Sequence, residues 1–259
     1  MLDSRVEKNG KTITLDNGVE LLYCEFGKEN QEVLISGAFY FITFNPFLEE
    51  LAKKYHVYGV VMRPNGKTTE HNEDGTVNWS RQWGEDIYQF AKAIGLESFH
   101  YAGKCHGTNP GWYLLKEHPE MVRTLASISM LPHVFEQDQD QWNSLQAQEG
   151  PSFMRQVLVK QELLPAKIAE VQTVGGLADI DPQMAVYGSH PEKIFASYEE
   201  TRAFLRAVQK PILLMFGTED ILYHDFYKAN IEGMHLIPGV RTVLLQGEKH
   251  LLEMDMPKR

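Results

Sequence analysis

Gly103-Lys104-Cys105-His106-Gly107 lies between the apolar run Phe99-His100-Tyr101-Ala102 and a stretch from Thr108 to Lys116 that can start a helix. A glycine two positions to either side of Cys105 is what a sharp strand-to-helix turn demands, because a Cβ at either place would collide with the adjoining strand and helix. Such a turn lifts its central side chain out of the sheet, and a lifted thiol can act as a nucleophile. The plainer reading is a buried, inert cysteine between two loop glycines, which is the commoner role of a free thiol. The five residues do not separate these readings, so the decision rests on what surrounds them.

Outward from the turn the chain alternates strand and helix. Val33-Leu34-Ile35-Ser36-Gly37 and Val57-Tyr58-Gly59-Val60-Val61-Met62 are apolar runs of strand length. Residues 45–54, with Phe47, Leu48 and Leu51 at helical spacing, and residues 82–94, closing near Gly95, predict helices. Beyond the turn, Thr124-Leu125-Ala126-Ser127-Ile128-Ser129, Ile212-Leu213-Leu214-Met215-Phe216 and Arg241-Thr242-Val243-Leu244-Leu245 predict further strands. Repeated βα units imply an α/β fold with a mostly parallel sheet and helices on both faces. Ahead of them, Thr12-Ile13-Thr14-Leu15 and Val19-Glu20-Leu21-Leu22-Tyr23 flank Asp16-Asn17-Gly18, the signature of an antiparallel hairpin.

The alternation stops between Pro132 and Gln209, where breaks fall at Gly150-Pro151, Pro165, Gly175-Gly176 and Pro182. We therefore expect a core built from residues 1–131 and 210–259, with residues 132–209 inserted as a mainly helical cap. The apolar residues Trp142, Phe153, Met184, Tyr187 and Phe195 in that insertion suit ordinary packing better than a ligand.

With 43% hydrophobic and 23% charged residues over 259 positions, the composition is that of a folded domain with a substantial core. A net charge of −10 with no basic run argues against a nucleic-acid partner. No stretch reaches the roughly 18 apolar residues of a membrane span, and residues 1–8 are charged with no apolar leader core, so a cytoplasmic protein without membrane contact is expected. The two cysteines, Cys24 and Cys105, lie far apart, and reduced thiols are expected, with a single bridge between them left open. The histidines have no metal-ligand spacing, and Gly66-Lys67-Thr68 has Val61 where a phosphate-binding loop needs glycine. Neither a metal nor a cofactor is expected.

A catalytic thiol needs a base and a group to orient that base. Gly217-Thr218-Glu219-Asp220 follows one expected strand and Gly247-Glu248-Lys249-His250 the last, so Cys105, Asp220 and His250 each follow the C-terminal end of a strand, the edge at which parallel sheets bind ligands. On these residues the chain resembles the α/β-hydrolase family, through nearly all of its length. The order Cys105, Asp220, His250 is similar to that family's order of nucleophile, acid and histidine. Ser36-Gly37-Ala38-Phe39 is placed like its His-Gly oxyanion loop, and Arg63-Pro64-Asn65-Gly66-Lys67-Thr68 like its Arg-Gly-x-Gly-x-Ser loop.

The resemblance implies that Cys105 attacks a carbonyl, His250 takes and returns the proton, and Asp220 holds the imidazole, with Glu219 as the other candidate acid. It further implies that the backbone N–H of His106, with that of Ala38 or Phe39, holds the oxyanion. Cysteine stands where most members have serine, as in dienelactone-hydrolase-like enzymes. A thiolate suits activated acyl groups, so the expected substrate is a small ester, lactone or thioester, or a β-dicarbonyl whose C–C bond is split. The competing reading is a ligand-binding or sensing protein that keeps the fold with little or no turnover. Monomer and homodimer are both compatible with the sequence.

Overall fold

The computed structural model describes residues 8–38, 46–63, 79–129, 194–218 and 226–248. Eight strands among them form one sheet in the order β1-β2-β4-β3-β5-β6-β7-β8. They are β1 (Gly10–Thr14), β2 (Glu20–Phe26), β3 (Val33–Ala38), β4 (His56–Val61), β5 (Phe99–Lys104), β6 (Val122–Ile128), β7 (Ile212–Gly217) and β8 (Arg241–Leu245). Strands β3 to β8 run parallel, while β1 and β2 form the expected antiparallel hairpin and β2 lies antiparallel to β4. Five α-helices are described: α1 (Pro46–Leu51), α2 (Trp79–Ala93), α3 (Asn109–Glu117), α4 (Tyr198–Ala207) and α5 (Phe226–Leu236). None of the described helices is long and apolar enough to cross a membrane.

The hairpin turn works as its sequence requires. Gly18 has φ +82°, a conformation that L side chains adopt rarely, and Asn17 accepts a 3.1 Å hydrogen bond from the Val19 N–H through its side-chain oxygen. Period-2 alternation then sorts the strands between two apolar clusters. Ile35, Val60, Phe99 and Tyr101 join Ile87 and Phe90 of α2 and Trp112 and Leu114 of α3, whereas Cys24, Leu34, Val57, Val61 and Ala102 join Leu48 of α1. Each fully buried Phe or Leu in such a cluster contributes about 1.5–3 kcal/mol. Ile194, Phe195, Leu205 and Val208 belong to the first cluster as well, so residues at the end of the expected insertion pack against the core. Lys116 at the end of α3 anchors that segment, donating to the Ile194 carbonyl at 2.8 Å. Residues 130–193, most of the expected cap, lie outside the described residues.

Charge pins the hairpin to the sheet. Glu25 on β2 accepts from Lys11 on β1 at 2.5 Å, meets Lys28 at 3.0 Å and contacts His56 on β4 at 2.9 Å. Burial of the Glu25 carboxyl raises its pKa, but the hydrogen bonds from Lys11, His56 and Lys28 outweigh that and bring it down from 4.5 to about 2. A carboxyl depressed in the folded state adds stability that is fully present above its unfolded pKa and is lost as pH falls toward the folded value. Glu25→Gln should therefore be less stable than the parent by about 2 kcal/mol at neutral pH, with the gap closing as pH falls from about 5 to about 2. Urea melts of both proteins across that range would show it, and a gap independent of pH would contradict the assignment.

The connectivity fixes where a site can form. From β3 the chain passes to β4 on one side, then returns past β3 to β5 on the other, so the strand order reverses between β3 and β5. Loops leaving the C-terminal ends of these two strands diverge and leave a crevice. The paired positions of β3 and β5 are Leu34 with His100 and Ile35 with Tyr101, so the segments beyond them, including Gly37 and Gly103, border the opening.

Candidate active site

The turn after β5 has the expected shape. Cys105 takes φ +50°, the left-handed region that costs an L residue roughly 1–2 kcal/mol. It opens a 3-10 turn, Cys105–Thr108, that runs into α3. A Cβ built on Gly103 would lie 2.1 Å from the Gly107 carbonyl oxygen and 2.7 Å from the Thr108 Cα. These are backbone atoms and cannot step aside, so glycine at 103 is a condition of the turn. The Thr108 hydroxyl donates to the Cys105 carbonyl at 2.8 Å and closes the turn from within.

Cys105 is partly buried and packs against Phe216 near the end of β7. The elbow thus adjoins the strand whose following loop carries the expected acid. Phe39, Glu219, Asp220, His250 and residues 64–68 lie outside the described residues. The points from which the acid and histidine segments depart are nevertheless tied together. Gly247 N–H donates to the Thr218 hydroxyl at 2.9 Å, and Thr218 N–H donates to the Leu245 carbonyl at 3.1 Å. Thr218 is two residues before Asp220 and Gly247 three before His250.

Ala38 ends β3, and the backbone of His106 lies in the turn that abuts β3. These are the two described segments from which the oxyanion donors were expected. Ser129, just past β6, also has positive φ, +58°, is fully buried, and donates its N–H to the Met215 carbonyl of β7 at 2.8 Å. Two strained non-glycine residues therefore sit at the C-terminal ends of adjacent strands β5 and β6, the kind of placement that marks functional edges.

Both cysteines are free thiols, which settles the bridge that the sequence left open. Cys24 is fully buried on β2, and burial pushes its pKa up to about 12, so it is chemically quiet. Three histidines have structural partners: His56 meets Glu25 at 2.9 Å, His100 lies 2.8 Å from the Thr124 hydroxyl and 3.1 Å from Glu32, and His118 stacks on Tyr88 with centroids 3.8 Å apart. Among the described residues no cluster of three or more His, Cys, Asp or Glu side chains could hold a metal ion.

Three contacts near the C-terminal ends of the strands have no local sequence signal. Tyr101 joins the β3 end to the elbow through backbone atoms, Thr218 ties the last two loops, and Arg63 at the end of β4 is held by Asp86 of α2. Each contact links residues at least 23 apart or uses a main-chain partner, and a linear reading finds neither.

A family model for the alpha/beta hydrolase fold matches residues 35–164. Carboxylesterase YbfK of Bacillus subtilis (strain 168) is 26% identical over 188 residues, an alignment covering 68% of this chain and 58% of its own. The chain thus spans little more than half of that relative. The uncharacterized carboxylesterase nap of the same organism is 24% identical over 232 residues, covering 87% of this chain and 74% of its own. Among solved structures, the serine hydrolase CCSP0084 from the polyaromatic-hydrocarbon-degrading bacterium Cycloclasticus zankles superposes with a TM-score of 0.77 at 15% identity, covering 96% of this chain and 93% of its own. The enol-lactonase from Burkholderia xenovorans LB400 gives 0.69 at 18% identity, covering 95% and 94%.

Proposed function

Because the chain belongs to the alpha/beta hydrolase fold family, we propose that it is a hydrolase that cleaves a small activated carbonyl compound through a Cys105-His250-Asp220 triad. The observation that carries this reading is the left-handed Cys105 at the strand-to-helix turn, beside the crevice where the strand order reverses. Strain held at one residue just past a strand end, beside the close-packed Gly103, is well explained by a need to present that side chain. The carboxylesterase relatives support ester chemistry.

In the proposed reaction His250 takes the thiol proton and the sulfur attacks the carbonyl carbon. Negative charge collects on the carbonyl oxygen, held by the backbone N–H groups of His106 and of Ala38 or Phe39. The tetrahedral species collapses, the leaving group departs with the proton from His250, and an acyl-thiol remains. Water, deprotonated by His250, then attacks the acyl carbon and releases the acid and the free thiol. Asp220 keeps the imidazole oriented throughout. The cap expected at 132–209 and a cytoplasmic setting that keeps both thiols reduced belong to the same proposal.

A stopped-flow experiment with p-nitrophenyl acetate and an acetyl thioester tests it. Release of leaving group should begin with a burst equal to the enzyme concentration, with the acyl mass found on the Cys105 peptide. Iodoacetamide at neutral pH should label Cys105 in the folded protein and leave Cys24 untouched until denaturation. A folded protein in which none of the three reagents modifies Cys105 would sink the reading. A stable acyl-thiol that never turns over would favour the sensing alternative.

A further inference from the structure

Tyr101 sits on β5 four residues before the nucleophile, entirely buried, and its hydroxyl makes two hydrogen bonds to the main chain. It accepts from the Gly37 N–H at 3.2 Å and donates to the Gly107 carbonyl at 2.7 Å. Gly37 immediately precedes Ala38, and Gly107 immediately follows His106. One side chain thus binds both backbone segments whose neighbouring N–H groups are expected to face the oxyanion. We propose that Tyr101 is a positioning residue for the oxyanion hole, setting the distance between its two halves; this rests on the hydrolase reading above.

The surroundings of the ring are shaped for this role. Register pairs Ile35 with Tyr101, which puts Gly37 and Gly103 on the same face just beyond. A Cβ on Gly37 would fall 2.6 Å from the Tyr101 hydroxyl, and one on Gly111 of α3 would fall 2.5 Å from ring atom Cδ1. The ring therefore occupies space that two glycines leave open. Past the Ile35–Tyr101 pair, the side chain supplies the link across the crevice between the strand ends. Burial pushes the phenol pKa well above its ordinary value, so the hydroxyl keeps the proton it donates to Gly107. Because both bonds go to main-chain atoms, they control backbone position and leave side-chain identity at 38 and 106 free to vary.

Oxyanion donors act by geometry, and losing one costs about 100- to 1,000-fold in rate, while a displacement near 1 Å costs about 100-fold. Tyr101→Phe removes the two bonds and keeps the ring. With p-nitrophenyl acetate it should lower kcat by about 10- to 100-fold with KM held within about threefold, since the oxyanion exists only in the transition state. Alkylation of Cys105 by iodoacetamide, a displacement at a saturated carbon that forms no oxyanion, should proceed within about twofold of the parent rate. A merely structural tyrosine would move both reactions together.

Folded Tyr101→Phe with unchanged acyl turnover overturns the proposal, and so does a parallel loss in both reactions. Gly37→Ala provides an independent approach if that variant does not fold: its new methyl displaces the hydroxyl and should give the same split, and unchanged turnover in it overturns the proposal equally. Placed in the Y101F background, the same alanine should cost little more, because the next atoms, Ile87 Cδ1 at 3.5 Å and Tyr101 Cζ at 3.7 Å, are in ordinary contact. A full additional loss there would deny a shared route. Cys105→Ala, measured alongside, separates the two claims: if it retains turnover the nucleophile reading fails, whatever Tyr101→Phe does.

Discussion

Cys105→Ala is expected to lower kcat/KM toward an activated ester by about 10,000-fold or more, the loss usual when the nucleophile of a triad is removed. Stability should barely follow. The thiol packs against Phe216 and is only partly buried, so its removal costs on the order of 1 kcal/mol. Backbone strain supplies a second, opposite test at the same position. At φ +50° alanine inherits the strain that cysteine bears, whereas glycine is free of it. Cys105→Gly should therefore be more stable than Cys105→Ala by about 1 kcal/mol, although it has lost a further carbon and is equally inactive. Chemical denaturation and steady-state kinetics on the two variants would check both halves. Alanine retaining more than about one hundredth of the parent rate would remove Cys105 from the chemistry. Glycine less stable than alanine would show that the turn is not strained at that residue.

The steric logic of that turn was legible because it is local. Gly103 and Gly107 are four residues apart, and the collision that makes glycine necessary, 2.1 Å between a Cβ at 103 and the carbonyl of 107, is contained in the pentapeptide. Strands read equally well where burial on both faces leaves an uninterrupted apolar run, as in β3, β4 and β7. Polar residues at strand ends hid the true extent of others. Lys104 belongs to β5 and is buried, though a lysine between glycine and cysteine reads as loop. Helix α2 begins at Trp79, three residues ahead of the expected start, and α5 was not anticipated at all. Its Phe226, Ile231 and Met234 are spread among polar residues, with Gly233 inside, so no clean apolar stripe announces it. The Tyr101 clamp and the Thr218 tie were beyond reach for a different reason: main-chain partners leave no trace in residue identity, and only the register of the sheet brings them together.

Asp86→Ala should be the most damaging single change to stability among the described polar residues. Asp86 on α2 grips Arg63 at the end of β4 through two bonds, Nε to Oδ2 at 2.7 Å and Nη2 to Oδ1 at 2.8 Å, with both side chains nearly sealed from water. The Trp83 indole N–H donates to the Arg63 carbonyl at 2.6 Å, so the arginine is held at its backbone as well as its head. A planar fork of this kind fits carboxylate and guanidinium together in a way that lysine does not reproduce. Removing the aspartate leaves a guanidinium buried without its counter-charge, which costs about 3–5 kcal/mol, a large part of the roughly 5–15 kcal/mol that holds a typical domain folded. The melting temperature should fall by about 10 °C. Arg63→Met combined with Asp86→Leu should recover much of the loss, because an apolar pair of similar size avoids the desolvation of both charges. Activity discriminates between the variants. Arg63 lies just past the end of β4, so the apolar pair should restore the fold while losing the charge and the fork at that strand end. If Asp86→Ala melts within about 2 °C of the parent, the pair is not closed to water and the charge at the end of β4 is paired elsewhere.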